Sequence, residues 1–219
     1  MSSYSIIFEN KNFLIVNKAS GIAVHKNIYD REFNLINEVN KDQKANYSLV
    51  HRIDKYTSGA VLIAKNKETL LLLQNLFLNN EVEKHYLALT SKELPAKKLK
   101  ITLSLGRSKN DKLRFTNRNA KNYKPACTEV EVIDRYFLKI LLKTGRTHQI
   151  RAHLFSINCP VLNDPIYGNR CFNPEFGQYL HAYKLEFTCP ITNEFISVTA
   201  PLPQEFKDKL SELNIEYTE

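Results

Sequence analysis

The chain has 219 residues, with 31 lysines and arginines against 23 acids and a formal net charge of +8. That length suits one domain, or one domain with two lobes, around a sizeable core. The positive balance points to a polyanionic partner, although charge alone is a modest argument. The N-terminus carries no charged-then-apolar leader. The longest apolar runs, around Leu70 to Leu73 and Gly59 to Ala64, fall far short of the ~18 residues of a membrane span. A cytoplasmic protein is expected. Cys127, Cys159, Cys171 and Cys189 contain no C-x-x-C pair and match no zinc spacing, so all four are expected to be small buried thiols.

In chain order, Ser5 to Glu9 and Phe13 to Lys18 predict a hairpin across Asn10-Lys11-Asn12. Phe33 to Asn40 predicts a short helix with Leu35, Ile36 and Val39 inward. The run from Gly59 to Ala64 has the length and β-branched content of a strand buried on both faces. Asn66 is placed to cap a helix over Lys67 to about Asn79, apolar through Leu70, Leu73, Leu76 and Phe77. Glu83 to Leu89 alternates as a strand, and Leu99 to Leu105 predicts another. From Gly106 to Lys124 the basic residues Arg107, Lys109, Lys112, Arg114, Arg118, Lys121 and Lys124 interleave with Asn, Phe115 and Tyr123. This segment reads either as a mobile basic arm tracking phosphates or as a solvated polar loop or hairpin. Strands follow at Thr128 to Ile133 and Phe137 to Leu142. A second hairpin joins Leu185 to Thr188 with Phe195 to Thr199. Phe206, Leu210 and Leu213 mark a closing helix. No repeat, linker or low-complexity tract divides the chain. A single α+β domain over residues 1–219 is expected, with a mixed, mostly antiparallel sheet and flanking helices.

Three stretches carry chemistry. The first is His51-Arg52-Ile53-Asp54-Lys55-Tyr56-Thr57-Ser58-Gly59, which sets a lone carboxylate, Asp54, among cations on a turn. Thr57, Ser58 and Gly59 suit the tight backbone such a turn needs. Neighbouring positive charge favours an ionised acid, the state of a nucleophile or base. A surface turn whose Asp bonds its own backbone is the plainer alternative. The second stretch runs from Leu142 to Leu154. Here Thr147 is the expected N-cap of a helix to about Ser156, with Ile150, Leu154 and Ile157 inward. Arg146, His148 and Arg151 would then gather at its N-terminus as an anion site, with His148 and Arg151 projecting from the first turn. The third is Glu83 to Leu89, where Tyr86 shares a face with Lys84 and Ala88. His148 and His153 are five apart, about 140° round a helix, whereas helical metal pairs are usually four apart. No metal is expected.

Together these stretches resemble the RluA-type pseudouridine synthases, with their patterns H-R-L-D-x-x-T-S-G-x-x-x-x-A-K, K-x-Y-x-A and T-G-R-x-H-Q-I-R-x-H. Asn17 to His25, Asn163 to Gly168 and Leu180-His181-Ala182 fall in the family's order. The resemblance implies a mixed sheet crossed by a catalytic cleft, and an isomerase that turns RNA uridine into pseudouridine without a cofactor. It implies Asp54 as the catalytic acid, Arg151 as its charge partner, Tyr86 against the target base and Leu180 as the apolar floor beneath it. It assigns Arg52 to the space a flipped base vacates, and His51, Arg146 and His148 to RNA contact or the shape of the cleft. Three departures from the family stand out: Ala19 for Pro, Ile53 for Leu, and Cys189 before Pro190 where His is common. No room for a small RNA-binding domain is expected before Tyr4. A stem-loop of ribosomal or transfer RNA is the expected partner, with the protein a monomer that needs no protein partner and touches no membrane. The rival classes are an RNA-binding module without catalysis, and a nuclease using His51, Asp54 and His148.

Overall fold

The computed structural model describes residues 3–26, 33–168 and 171–217. The chain forms two compact units, one running to Lys84 and resuming over Ala182–Gln204, the other made of His85–His181 and the segment from Glu205 on. In chain order the first begins with β1 (Tyr4–Glu9), β2 (Phe13–Lys18), α1 (Leu35–Asp42), β3 (Ser48–Leu49), β4 (Ser58–Ala64) and α2 (Lys67–Leu78). β5 (Glu83–Leu89) leads into the second, with β6 (Lys98–Ile101), β7 (Leu105–Ser108), β8 (Phe115–Thr116) and β9 (Ala120–Lys124). There follow β10 (Thr128–Asp134), β11 (Phe137–Leu142) and α3 (Gln149–Ser156). β12 (Leu180–Thr188) brings the chain back to the first unit, where β13 (Phe195–Thr199) pairs with it; α4 (Gln204–Glu212) belongs, after its first residue, to the second.

The sheet of the first unit runs β1-β2-β4-β12, with β3 added to β4 and β13 to β12. Its leading hairpin turns where Asn10 Oδ1 accepts the amides of Asn12 and Phe13, at 2.8 and 2.9 Å. All seven residues of β4 are buried, as their unbroken apolar run predicts. β2 lies antiparallel to β4, from Phe13 opposite Ala64 to Lys18 opposite Gly59. Gly59 (φ +111°) is required on two counts: its backbone angle favours glycine, and a Cβ there would collide with the Ala182 carbonyl and stand 2.7 Å from the Ala182 nitrogen. α2 starts as expected, with Asn66 Oδ1 accepting the Thr69 amide at 2.9 Å. α1 begins two residues later than expected because Asn34, not an earlier residue, caps it through the Asn37 amide. Phe13, Ile15, Leu62, Leu73, Phe187 and Cys189 form the core of this unit.

In the second unit β5-β11-β10-β6 form a sheet whose apolar face, through Leu138, Ile140 and Leu142, receives Ile150 and Leu154 of α3. The strand expected over 99–105 breaks in two: β6 pairs antiparallel with β10, whereas β7 turns away to start a separate sheet ordered β8-β7-β9. The basic segment therefore follows the hairpin reading, extended to a small three-stranded antiparallel sheet. The hairpin expected from Leu185 is longer too, since β12 starts at Leu180. Chain reversals after α2, α3 and α4 use Asn80, Asn158 and Asn214 in the left-handed region, the usual place of glycine, in a chain with only six glycines. Two thiols depart from expectation: Cys171 is exposed and Cys127 half-buried, while Cys159 and Cys189 are buried. Cys189 fills core space at the β12–β13 turn, where its backbone pairs with Asn193 and Glu194. No helix among the described residues is long and apolar enough to cross a membrane.

Candidate active site

In the first unit the Asp54 carbonyl accepts the Thr57 amide at 3.1 Å, closing a turn immediately before β4. Ser58 and Gly59 lie beyond it, as the first residues of the strand. The turn is sewn to the end of β2. Lys18, 1 % exposed, donates its ammonium to the carbonyls of Ala19, Ile22 and Lys55 at 2.7, 2.9 and 2.9 Å. Ser20 Oγ donates to the Tyr56 carbonyl at 2.9 Å. Burial pushes Lys18 down to about 7; the negative charge of Asp54 opposes that fall and Lys55 adds to it. Asp54, half-buried, thus sits on a backbone held from three sides. The sequence places Lys18 in the Asn17–His25 segment without a role, because an apolar strand ending in a lysine carries no local sign that the ammonium turns inward.

His51 is a brace for this turn. Its ring stacks on Phe77 at 4.5 Å, its Nε2 accepts the Leu62 amide at 3.0 Å, and its other bond is to the backbone of Arg52. Burial first, then the nearby Lys84, hold its imidazole down at about 3, so it is neutral at physiological pH. Both of its ring nitrogens are thus bonded within the fold, where the ring serves as a brace. Arg52 is exposed, with Nη1 3.2 Å from His25 Nε2.

In the second unit the Thr144–His153 stretch is organised by an amide. Gln149 Oε1 accepts the Thr144 hydroxyl at 2.7 Å and the Arg146 amide at 3.0 Å. Its Nε2 donates to the Cys127 carbonyl and to Thr128 Oγ1, at 3.0 and 2.9 Å. These bonds fold the loop so tightly that the chain enters α3 through His148 in the left-handed region (φ 55°), without a side-chain cap. The expected Thr147 cap is therefore absent, and His148 precedes the helix instead of sharing a first-turn face with Arg151. His153, fully buried, bridges Thr128 Oγ1 and the Leu103 carbonyl, both at 2.9 Å. A carbonyl only accepts, so Nε2 carries the proton and Nδ1 receives the Thr128 hydroxyl. Burial lowers the pKa of His153, consistent with a neutral ring.

Arg151 is 3 % exposed and grips Asp164 with two bonds, Nε to Oδ2 at 2.6 Å and Nη2 to Oδ1 at 2.8 Å. Its guanidinium lies over the Tyr167 ring at 5.2 Å. Asp164 Oδ1 also accepts the amides of Ile166 and Tyr167. The sequence reading missed this acid as a partner; the signal was there, since an arginine on a helix as apolar as α3 calls for a carboxylate elsewhere. Asp54, its expected partner, belongs to the other unit. Arg146 is exposed, its Nε donating to the Pro125 carbonyl at 3.0 Å. His148 Nδ1 lies 3.3 Å from the Tyr167 hydroxyl, and its ring meets the edges of Phe115 and Tyr167. Tyr86, half-buried, packs on the apolar cluster that contains Leu180, itself 4 % exposed.

Residues 12–156 match the RNA pseudouridylate synthase family. The chain belongs to that family. An uncharacterised RNA pseudouridine synthase of Mycoplasma genitalium is 36% identical over 220 residues, covering 98% of this chain and 71% of its own. A protein of Neisseria meningitidis named ribosomal large subunit pseudouridine synthase D is 33% identical over 231 residues, covering 96% of this chain and 61% of its own. Of solved structures, human RNA pseudouridylate synthase domain containing 1 aligns with TM-score 0.77 at 28% identity, over 91% of this chain and 84% of that one. Human RNA pseudouridylate synthase domain containing 4 shares the fold, with TM-score 0.77 at 24% identity over 98% of this chain and 95% of that one. The fold is the α+β pseudouridine synthase fold, of the RluA-type family, and the enzyme is an isomerase that converts uridine in RNA to pseudouridine.

Proposed function

We propose that Asp54 is the catalytic carboxylate of a single catalytic domain spanning residues 1–219, acting on a uridine flipped out of a ribosomal or transfer RNA stem-loop. The reaction exchanges a C–N glycosidic bond for a C–C bond with no change of redox state. A carboxylate serves it by attacking sugar or base, or by removing a sugar proton. The observation that carries this reading is the turn itself: Asp54 is the acid of the His51–Gly59 motif, and Lys18, Ser20 and Thr57 fix its backbone. Fixed geometry of that kind keeps a reacting group in line without reorganisation. In this reading Arg151 keeps Asp54 charged and aimed, Tyr86 lies against the uracil and Leu180 is the floor of its pocket. Flipping has an unstacking and unpairing cost of a few kcal/mol, and Arg52, exposed beside the turn, fills the vacated space. Arg146 and His148 contact phosphate or shape the cleft, and the RNA is recognised by shape and splayed bases. The enzyme works in the cytoplasm as a monomer without cofactor or protein partner.

Incubating the protein with uridine-containing RNA and analysing nucleosides tests the reading. Pseudouridine in intact RNA is expected. Shortened RNA would make the protein a nuclease, which the neutral, internally bonded His51 argues against. Asp54→Asn should abolish product while RNA still binds; normal turnover in that variant would remove Asp54 from the mechanism.

A further inference from the structure

The small β8-β7-β9 sheet and the loop before α3 enclose a cleft of about 600 Å³. Six cations line it, Arg107, Lys109, Lys112, Lys121, Lys124 and Arg146, and no carboxylate does. The lysines of the neighbouring β6–β10 ladder are paired: Lys98 with Glu131 at 3.0 Å, and Lys100 with Glu129 at 3.1 Å. The four cleft lysines have no such partner among the described residues. Like charges gathered in this way repel, and a bound polyanion would relieve that repulsion.

The cleft is also built, not draped. The Arg107 guanidinium sits 4.9 Å over the Phe115 ring and donates to the Lys112 carbonyl at 2.5 Å. Tyr167 bonds both backbone groups of Phe115, accepting its amide at 2.7 Å and donating to its carbonyl at 3.0 Å. Arg114 ties the same sheet to the Ile166 carbonyl. One arginine on each wall is held by a carbonyl, whereas the four lysines that line the cleft are exposed. Lysines are hydrated point charges that suit phosphate without selecting a base.

We infer that this cleft carries the phosphodiester backbone of the RNA substrate outside the reacting nucleotide, setting affinity and not the choice of uridine. The inference rests on the RNA-modifying function above. Each phosphate contact contributes ~0.7 to ~0.9 to the slope of log affinity on log salt. The variant K109Q/K112Q/K121Q/K124Q should therefore lower that slope by about three. It should also raise KM for RNA at physiological salt at least tenfold and leave kcat at saturating RNA within twofold of the parent. The matching four-fold Lys→Arg variant should keep the parent slope. If the parent makes pseudouridine but the Gln variant keeps its slope and KM, this inference fails alone; if the parent makes none, the enzymatic reading fails with it. A parent slope below three, or an Arg variant as impaired as the Gln variant, would also overturn it. So would tighter binding of polyglutamate than of RNA, which would make the cleft a site for an acidic protein.

Discussion

Arg151 and Lys18 are both buried cations, but they are held in opposite ways. Arg151 is matched by a carboxylate, with two bonds to Asp164, whereas the Lys18 ammonium is surrounded by the dipoles of three neutral carbonyls. Arginine stays charged at any physiological pH, so its counter-charge must be permanent. Lysine can release its proton, and burial brings it down to about 7. The lesson is that the two units hold their buried cations by different physics: a fixed ion pair anchors α3, and a titratable clamp anchors the Asp54 turn.

Breaking the ion pair has the largest expected effect. Asp164→Ala leaves a buried guanidinium and should cost ~3–5 kcal/mol in denaturant unfolding. Pairing it with Arg151→Met should recover much of that loss, and no recovery would mean that Asp164 matters through its bonds to the Ile166 and Tyr167 amides instead. The clamp predicts a pH signature. Folded Lys18 loses its proton near pH 7 while the unfolded side chain keeps it to about 10.5. The unfolded state therefore binds more protons in that window, and stability should rise from pH 7 toward 10. Lys84, lowered by burial, adds a contribution of the same sign. Lys18→Met should flatten most of this rise, and an unchanged slope would show that Lys18 is not its source. The same variant should lose about 1–3 kcal/mol at neutral pH through its unsatisfied carbonyls, a loss that should grow as the pH rises toward 10 and the parent becomes more stable. Gln149→Ala removes a neutral brace and should cost about 1–3 kcal/mol. At the small end, Asn66→Ala should cost ~1 kcal/mol, the usual value of a helix cap.

Where a local signal existed, the sequence was readable. The unbroken run of β4, the Asn66 cap of α2 and the Asn10 hairpin depend on neighbours within a few positions. The break between β6 and β7 was hidden because nothing in Leu99 to Leu105 tells which of two sheets each half will join. The helix start at Gln149 was missed for a related reason: a side-chain amide closing on Thr144, Arg146 and β10 overrides the capping preference of Thr147. The motifs contained Lys18 and Asp164 but gave neither a role, since the groups they support come 36 residues after one and 13 residues before the other. Nor did they show that His51 and His153 brace the fold, which depends on what meets each ring nitrogen.

The hydroxyl of Tyr167 holds the amide of Phe115, which lies in a strand of only two residues. Hydrogen exchange at that amide therefore reports on a phenol ring 52 positions along the chain, so removal of one oxygen by Tyr167→Phe should let deuterium into Phe115 while the ladder of β10 and β11 keeps its protection.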